Sequence, residues 1–142
     1  MYCTRSDLTD YLLADYLAAV DKIDAEKVAR TMANVESEMS EALVSGGYTV
    51  TANDVPATVK RICATLSAYR SVSAITSLVV DENSSDNEFL PLQRQAERAE
   101  KEMDQIRLGK IRLAPPEATS AQPNDTVIVV TPPRKFKDWS RF

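Results

Sequence analysis

Apolar residues recur at helical spacing over most of this chain. After Asp24 they step by four, three, four and four residues, as one face of an amphipathic helix does. They are Val28, Met32, Val35, Met39 and Leu43. Gly46-Gly47 follows, and glycine readily takes the left-handed conformation that ends a helix. The pattern predicts a long helix that runs from an N-cap at Asp24 to this glycine pair.

A shorter helix is predicted before it. Thr4 followed by Asp7 resembles a capping box, and Leu8, Leu12 and Leu13 then recur at helical spacing. We expect this first helix to start near Arg5. A second apolar patch comes next, at Tyr16, Leu17 and Val20, and a polar break at residues 21–24 separates it from the long helix.

Two further helices are predicted beyond the glycine pair. Pro56 suits the first turn of one of them. The apolar stripe of that helix would be Val59, Ile62, Leu66, Tyr69, Val72 and then Ile75 or Leu78. Arg61 and Arg70 lie off that stripe. A highly charged helix has a narrow stripe that ends before Gly109: Leu92, Ala96, Ala99, Met103 and Ile106. Narrow stripes of small residues are typical of contacts between helices.

The pattern changes after Gly109. Residues 110–124 are rich in Pro, Ala, Ser and Thr, as an exposed connector is, while residues 126–131 (TVIVVT) favour a β-strand. A lone strand needs a partner, either residues 48–51 (YTVT) or a strand of another chain. We therefore predict a mainly α fold: a small bundle of about four helices over residues 1–108, and an extended C-terminal arm, residues 109–142, with one short β-strand.

Composition is ordinary for a soluble protein, with 44% apolar and 27% charged residues. No apolar run approaches the roughly 18 residues of a membrane-spanning helix, and residues 1–10 lack the apolar stretch of a signal peptide. We expect a protein that is cytosolic at synthesis.

Charged residues are distributed unevenly along the chain. Residues 1–108 contain 11 Lys or Arg against 18 Asp or Glu, and residues 109–142 contain 6 against 3.

The sequence predicts no catalytic, cofactor-binding or metal-binding residues. It contains no His, the side chain that most often serves acid–base catalysis near neutral pH, and its three glycines form no phosphate-binding loop. Cys3 and Cys63 are sixty positions apart, so we expect neither a disulfide nor a zinc site. Cys63 is predicted as a small apolar core residue and Cys3 merely as a residue near the chain end. Residues 81–88 hold several oxygen ligands but lack the central Gly of a calcium loop.

The last eleven residues, PPRKFKDWSRF, hold two of the three Phe and the only Trp. The predicted partner-binding residues are Arg134, Lys135, Phe136, Trp139, Arg141 and Phe142. Three interpretations are open: docking on another protein, packing on the chain's own core, or stacking on nucleic acid. Trp, Phe and Arg are frequent interface anchors, while an acidic body repels phosphate. We favour docking on another protein.

The order of these segments resembles the head–tail connector (adaptor) proteins of tailed bacteriophages and Mu-like prophages. The resemblance covers nearly the whole chain and involves MYCTRSDL, VARTMANVESEMSEAL followed by GGY, VPATVKRICATLSAYR, AERAEKEMDQIRLGKIRL and RKFKDWSRF. Ile62, Tyr69 and Arg70 match the family's third helix. Gly109, Lys110, Ile111 and Leu113 match the end of its fourth helix. The linker after the first helix is shorter here.

The resemblance implies a structural virion protein that is no enzyme and needs no cofactor. Its partners would be the portal protein, neighbouring copies in a ring, and the next neck or tail protein. DNA would pass through the channel without specific binding, and no membrane would be involved. The protein would be made in the host cytoplasm and end in the virion. The alternative is a small helical regulatory or DNA-binding protein that uses its basic, aromatic tail.

Overall fold

The computed structural model describes residues 1–51, 53–73 and 89–113, and within them the chain is mainly helical, as predicted. Five helices follow one another in this part of the chain: α1 (Arg5–Leu8), α2 (Ala14–Ile23), α3 (Lys27–Ser45), α4 (Ala57–Val72) and α5 (Leu90–Arg107). No strand occurs in these three ranges. The strand predicted at residues 126–131 lies outside them.

The predicted number of about four helices falls one short of the five in the described ranges. The apolar patch at Tyr16, Leu17 and Val20, read as a patch before the long helix, forms the separate helix α2. Leu17 and Val20 are buried in the core, and α2 packs on both α3 and α4. Burial on two neighbours stabilises a ten-residue helix that would be marginal by itself.

Helix α1 starts at Arg5, as predicted from its capping box, but it ends at Leu8, so the prediction that Leu12 and Leu13 continue it was wrong. The main-chain N–H of Thr4 donates a hydrogen bond to Oδ2 of Asp7 at 2.7 Å, which satisfies one main-chain donor ahead of the helix. Oδ1 of Asp7 also forms an ion pair with Nζ of Lys60 on α4 at 2.9 Å. The side chain that begins α1 therefore also ties it to α4.

The long helix begins later than predicted. Its N-cap is Glu26, and Asp24, the predicted N-cap, has an extended backbone and ends α2 instead. Oδ1 of Asp24 accepts a hydrogen bond from the main-chain N–H of Glu26 at 3.1 Å, and its other oxygen pairs with Arg30. Asp24 thus stabilises the turn between the two helices without capping α3 itself. The predicted stripe of α3 is correct, since all five of its members are buried.

Helix α4 is at the centre of the bundle and contacts the other four helices. Its buried positions include the small residues Ala64, Ser67, Ala68 and Ser71. Small side chains let neighbouring helices approach closely. The predicted stripe of α4 is buried from Val59 to Val72, apart from the half-buried Tyr69, while Ile75 and Leu78 lie outside the described residues.

Helix α5 buries the five predicted residues of its narrow stripe and is followed by Gly109 in the left-handed conformation, with φ of +67°. No helix in the described part of the chain is long and apolar enough to cross a membrane.

The two cysteines are both free thiols and both buried. Burial of Cys63 in the core was predicted. The placement of Cys3 as a mere end residue was wrong, since only 5% of it is exposed and it lines one small void with Cys63, Met32 and Glu36. Cys3 and Cys63 are sixty positions apart in the sequence but lie close together in the fold, because α1 packs against α4.

Candidate interaction surfaces

The six predicted partner-binding residues lie outside the described residues. Arg134, Lys135, Phe136, Trp139, Arg141 and Phe142 all belong to residues 114–142, so no distance relates them to the bundle. Their role stays a prediction. Of the predicted C-terminal arm, residues 109–142, only residues 109–113 lie within the described ranges.

Residues 109–113, the first residues of the predicted arm, are fixed to the bundle. The hydroxyl of Tyr48 donates a hydrogen bond to the main-chain carbonyl of Ile111. Ile111 and Leu113 are half-buried and pack against the core. Residues 109–113 are therefore held in a defined place, beside the segment that follows α3. We call residues 109–113 the root of the arm.

Two glycines allow this arrangement, because the C-terminal ends of α3 and α5 touch there. A Cβ atom at Gly46 would lie 2.0 Å from the main-chain oxygen of Ile106, closer than any side chain can approach. A Cβ at Gly109 would lie 3.2 Å from the oxygen of Gly46. Only glycine at position 46 lets the two helix ends meet. The sequence predicted both glycines as helix ends but not this contact between them.

Arg70 connects three helices through ion pairs. From α4, its Nη1 donates a hydrogen bond to Oε1 of Glu38 on α3 at 2.7 Å, and its Nη2 lies 3.7 Å from Oε1 of Glu100 on α5. The hydrogen bond to Glu38 raises the pKa of the guanidinium, which therefore stays charged. Arg61, also on α4, pairs with Glu102 of α5. Neither partnership was predicted, although both arginines were noted as lying off the apolar stripe.

The described part of the bundle is less acidic than the sequence of residues 1–108 suggests. The described residues contain 13 Lys or Arg and 14 Asp or Glu, so their charges nearly balance. Four further acidic residues, with no basic one, belong to the sequence of residues 81–88. Much of the acidic excess of residues 1–108 is therefore contributed by that one segment.

An open cleft of about 320 Å³ lies between the turn joining α1 to α2 and the first turns of α5. We call it the aromatic cleft. Tyr16 and Phe89 form an edge-to-face pair in its wall, with ring centroids 5.1 Å apart. Leu13 is 68% exposed at its rim, a large value for an apolar side chain. Its lining consists of Asp10, Tyr11, Leu12, Leu13, Tyr16, Phe89, Pro91, Leu92 and Gln95.

The aromatic cleft was not predicted from the sequence. Tyr16 and Phe89 are 73 positions apart, and the sequence pattern placed Tyr16 only in an apolar patch before the long helix. A signal was nevertheless present in the adjacent Leu12 and Leu13, which lie in the turn between α1 and α2 and not in the helix predicted for them. Leu12 is buried and Leu13 is exposed.

No arrangement for metal chemistry is seen in the described ranges. Within them, no group of three or more Cys, Asp or Glu side chains is placed to hold a metal ion. Burial raises the pKa of both the Cys3 and the Cys63 thiol, which disfavours the reactive thiolate. The calcium-like residues 81–88 lie outside the described part.

Comparison with known proteins gives one relationship. The family described as Bacteriophage Mu, Gp36 matches residues 2–131 of this chain. The match includes all five helices and the root of the arm, and it ends before the aromatic residues at 136, 139 and 142. No curated protein and no solved structure matches. Because the family match spans nearly the whole sequence and follows the bundle from α1 to the root of the arm, the chain belongs to the bacteriophage Mu Gp36 family.

Proposed function

We propose that this protein is a head–tail connector, a structural virion component that assembles as a ring beneath the portal. In that position it extends the DNA channel and offers a docking surface to the next neck or tail protein. Membership of a Mu-like phage protein family and the helical bundle support this role. The proposed role involves no reaction and no cofactor, and it would place the protein in the host cytoplasm during assembly and in the virion afterwards.

The observation that carries the proposal is the anchored root of the arm. The bond between Tyr48 and Ile111 holds residues 109–113 beside the ends of α3 and α5, and residues 114–142 follow them in the sequence. An arm with a fixed starting point and several terminal aromatic and basic residues is suited to reaching a neighbouring subunit or another neck protein. The partners proposed for it are the portal, adjacent copies and the next neck or tail protein.

Charge is compatible with DNA moving through the ring. Most cations of the described helices are already paired with carboxylates, including Arg61, Arg70 and Lys60. Paired cations contribute little to phosphate binding, which depends on the release of counterions by free Lys and Arg. The bundle would therefore let DNA pass without binding it specifically.

Assembly on the portal tests the proposal. The purified protein should form a ring in the presence of the portal protein, visible by negative-stain microscopy and by light scattering. Deleting residues 132–142 should leave helical content and cooperative melting nearly intact but abolish assembly. A protein that stays monomeric with the portal present would contradict the connector role. A deletion that unfolds the bundle would show that the segment belongs to the chain's own core.

The alternative of a small DNA-binding protein has one observation in its favour. Lys110 and Arg112 in the root of the arm are exposed, and neither forms an ion pair within the described residues. Together with the four basic residues of the tail they would supply six cations for phosphate contacts. Gel-shift titration in increasing salt tests this alternative, because several phosphate contacts produce a steep loss of affinity with salt. Absence of a shift at low salt would exclude it.

A further inference from the structure

We infer that, in the free subunit, the aromatic cleft holds residues 132–142 of the same chain. The inference rests on the proposed function only in taking those residues as the partner-binding segment. The inference adds where residues 132–142 lie before the protein binds a partner. The cleft would thus protect the segment until assembly draws it out.

The chemistry of the two surfaces matches. The cleft presents Tyr11, Leu13 and Pro91 around the edge-to-face pair of Tyr16 and Phe89. Residues 132–142 bring Phe136, Trp139 and Phe142. Aromatic rings favour offset or edge-on contacts with other rings, and their burial contributes a large apolar area. An exposed Leu13 at the rim is covered if one of these rings enters.

Charge favours the same pairing. Asp10 lines the cleft and Asp15 lies in the adjoining first turn of α2, and both are exposed. Neither forms an ion pair within the described residues, whereas the nearby Asp7 is already paired with Lys60. The segment carries four Lys or Arg and only one Asp. Complementary charge of this kind orients a bound segment and excludes acidic ones.

The length of the chain allows the segment to reach the cleft. The arm leaves at the C-terminal end of α5, while Phe89 and Pro91 lie at its other end. An 18-residue helix is about 27 Å long, and the 18 residues from 114 to 131 span at most about 60 Å. A tethered segment that can reach its site is present there at an effective concentration in the millimolar range. In dilute solution this favours the chain's own segment over that of a second copy.

Trp139 reports on this contact directly because it is the only Trp in the chain. In the full-length free protein its fluorescence should be shifted to shorter wavelength and shielded from acrylamide, compared with the protein unfolded in guanidinium. Leu13→Lys should return both properties to those of an exposed Trp. Ile23→Lys is the matched control, since Ile23 is 70% exposed at the far end of α2, outside the cleft. It should change neither, and circular dichroism should show that both variants keep their helices.

Each other result overturns the inference. An exposed Trp139 in the wild type, or a shielded Trp139 that Leu13→Lys leaves shielded, means that the segment does not occupy the cleft. Shielding that disappears on dilution, with dimers seen by light scattering, means that the occupant is a second copy. The proposed function could fail while this inference holds. In that case the wild-type protein would not assemble on the portal, although Leu13→Lys would still change the fluorescence of Trp139.

Discussion

The hydroxyl of Tyr48 and the main-chain carbonyl of Ile111 are joined by a hydrogen bond across 63 positions of the sequence. It fastens the start of the C-terminal arm to the turn after α3. Removing only the hydroxyl, by Tyr48→Phe, should cost about 1 kcal/mol in the free energy of unfolding, the usual net contribution of one hydrogen bond. Hydrogen exchange should increase at residues 110–113 before it increases in the helices.

Tyr11→Phe is the control for that substitution. Tyr11 is also half-buried, and its hydroxyl forms no hydrogen bond within the described residues. Chemical denaturation should therefore show unchanged stability for this variant. Equal losses for the two variants would mean that the Tyr48 hydroxyl does not fasten the arm.

Alanine substitutions at Gly46 and Gly47 should separate the cost of steric crowding from the cost of backbone strain. Gly46→Ala should destabilise the fold by at least about 2 kcal/mol, because its methyl group would overlap the Ile106 carbonyl oxygen and force α3 and α5 apart. Gly47 has open space around it but a φ of +79°, so Gly47→Ala should cost only about 1 kcal/mol. Urea denaturation measures both, and a larger loss at Gly47 would refute the close approach.

The helices could be predicted from the sequence because an amphipathic stripe is a local property. Val28, Met32, Val35, Met39 and Leu43 are buried because their spacing follows the turns of a single helix. The exact start of α3 was harder to predict. Asp24 ends α2, with its main-chain N–H bonded to the Val20 carbonyl, and the N-cap of α3 is Glu26 instead.

Contacts between distant residues could not be predicted in the same way. The burial of Cys3, the pairing of Arg70 with Glu38 and the meeting of Tyr16 with Phe89 all require knowledge of which helices are neighbours. A hydrophobic period shows which face of a helix is buried, but not what covers it. The predicted binding residues at 134–142 stay untested by the described part of the fold.

Asp7 should give the fold part of its stability against acid. Burial alone would raise the pKa of its carboxyl, but the hydrogen bonds from Lys60 and Thr4 outweigh burial, and the pKa lies below its ordinary value. A lowered pKa in the folded state stabilises the protein above the ordinary Asp pKa of about 3.9. That contribution is lost as the pH falls through the lowered value.

Asp7→Asn should therefore destabilise the protein by about 0.5–1 kcal/mol at pH 7, as loss of a partly exposed ion pair does. The difference from wild type should shrink as the pH falls below about 4. Thermal melts at several pH values measure it. Glu41→Gln, which removes an exposed carboxylate on α3 without an ion pair in the described ranges, should leave the melting temperature at pH 7 unchanged. A constant difference at all pH values would exclude the ionic role of Asp7.

The thiols of Cys3 and Cys63 should react slowly in the folded protein. Both are buried, and burial raises the pKa of each, so little thiolate is present and reagents cannot reach it. Alkylation at pH 8 should be slower by about two orders of magnitude or more than in guanidinium, because reaction requires local opening. Peptide mapping by mass spectrometry measures both sites in one sample. Rapid labelling of Cys3 alone would show that the first residues detach from the core.

The ion pairs of Arg70 should differ in strength according to their geometry. The Arg70 side chain is 30% exposed, and its guanidinium donates a hydrogen bond to Glu38 at 2.7 Å but lies 3.7 Å from Glu100. A double-mutant cycle of Arg70→Met with Glu38→Gln should give a coupling of about 1 kcal/mol, within the range for hydrogen-bonded but partly solvated pairs. The same cycle with Glu100→Gln should give less than half of that. Arg70→Lys should not restore full stability, since an ammonium cannot reach two carboxylates on different helices with the fixed fork of a guanidinium. Equal coupling to both glutamates would mean that general attraction, rather than the hydrogen bond to α3, holds Arg70 between the helices.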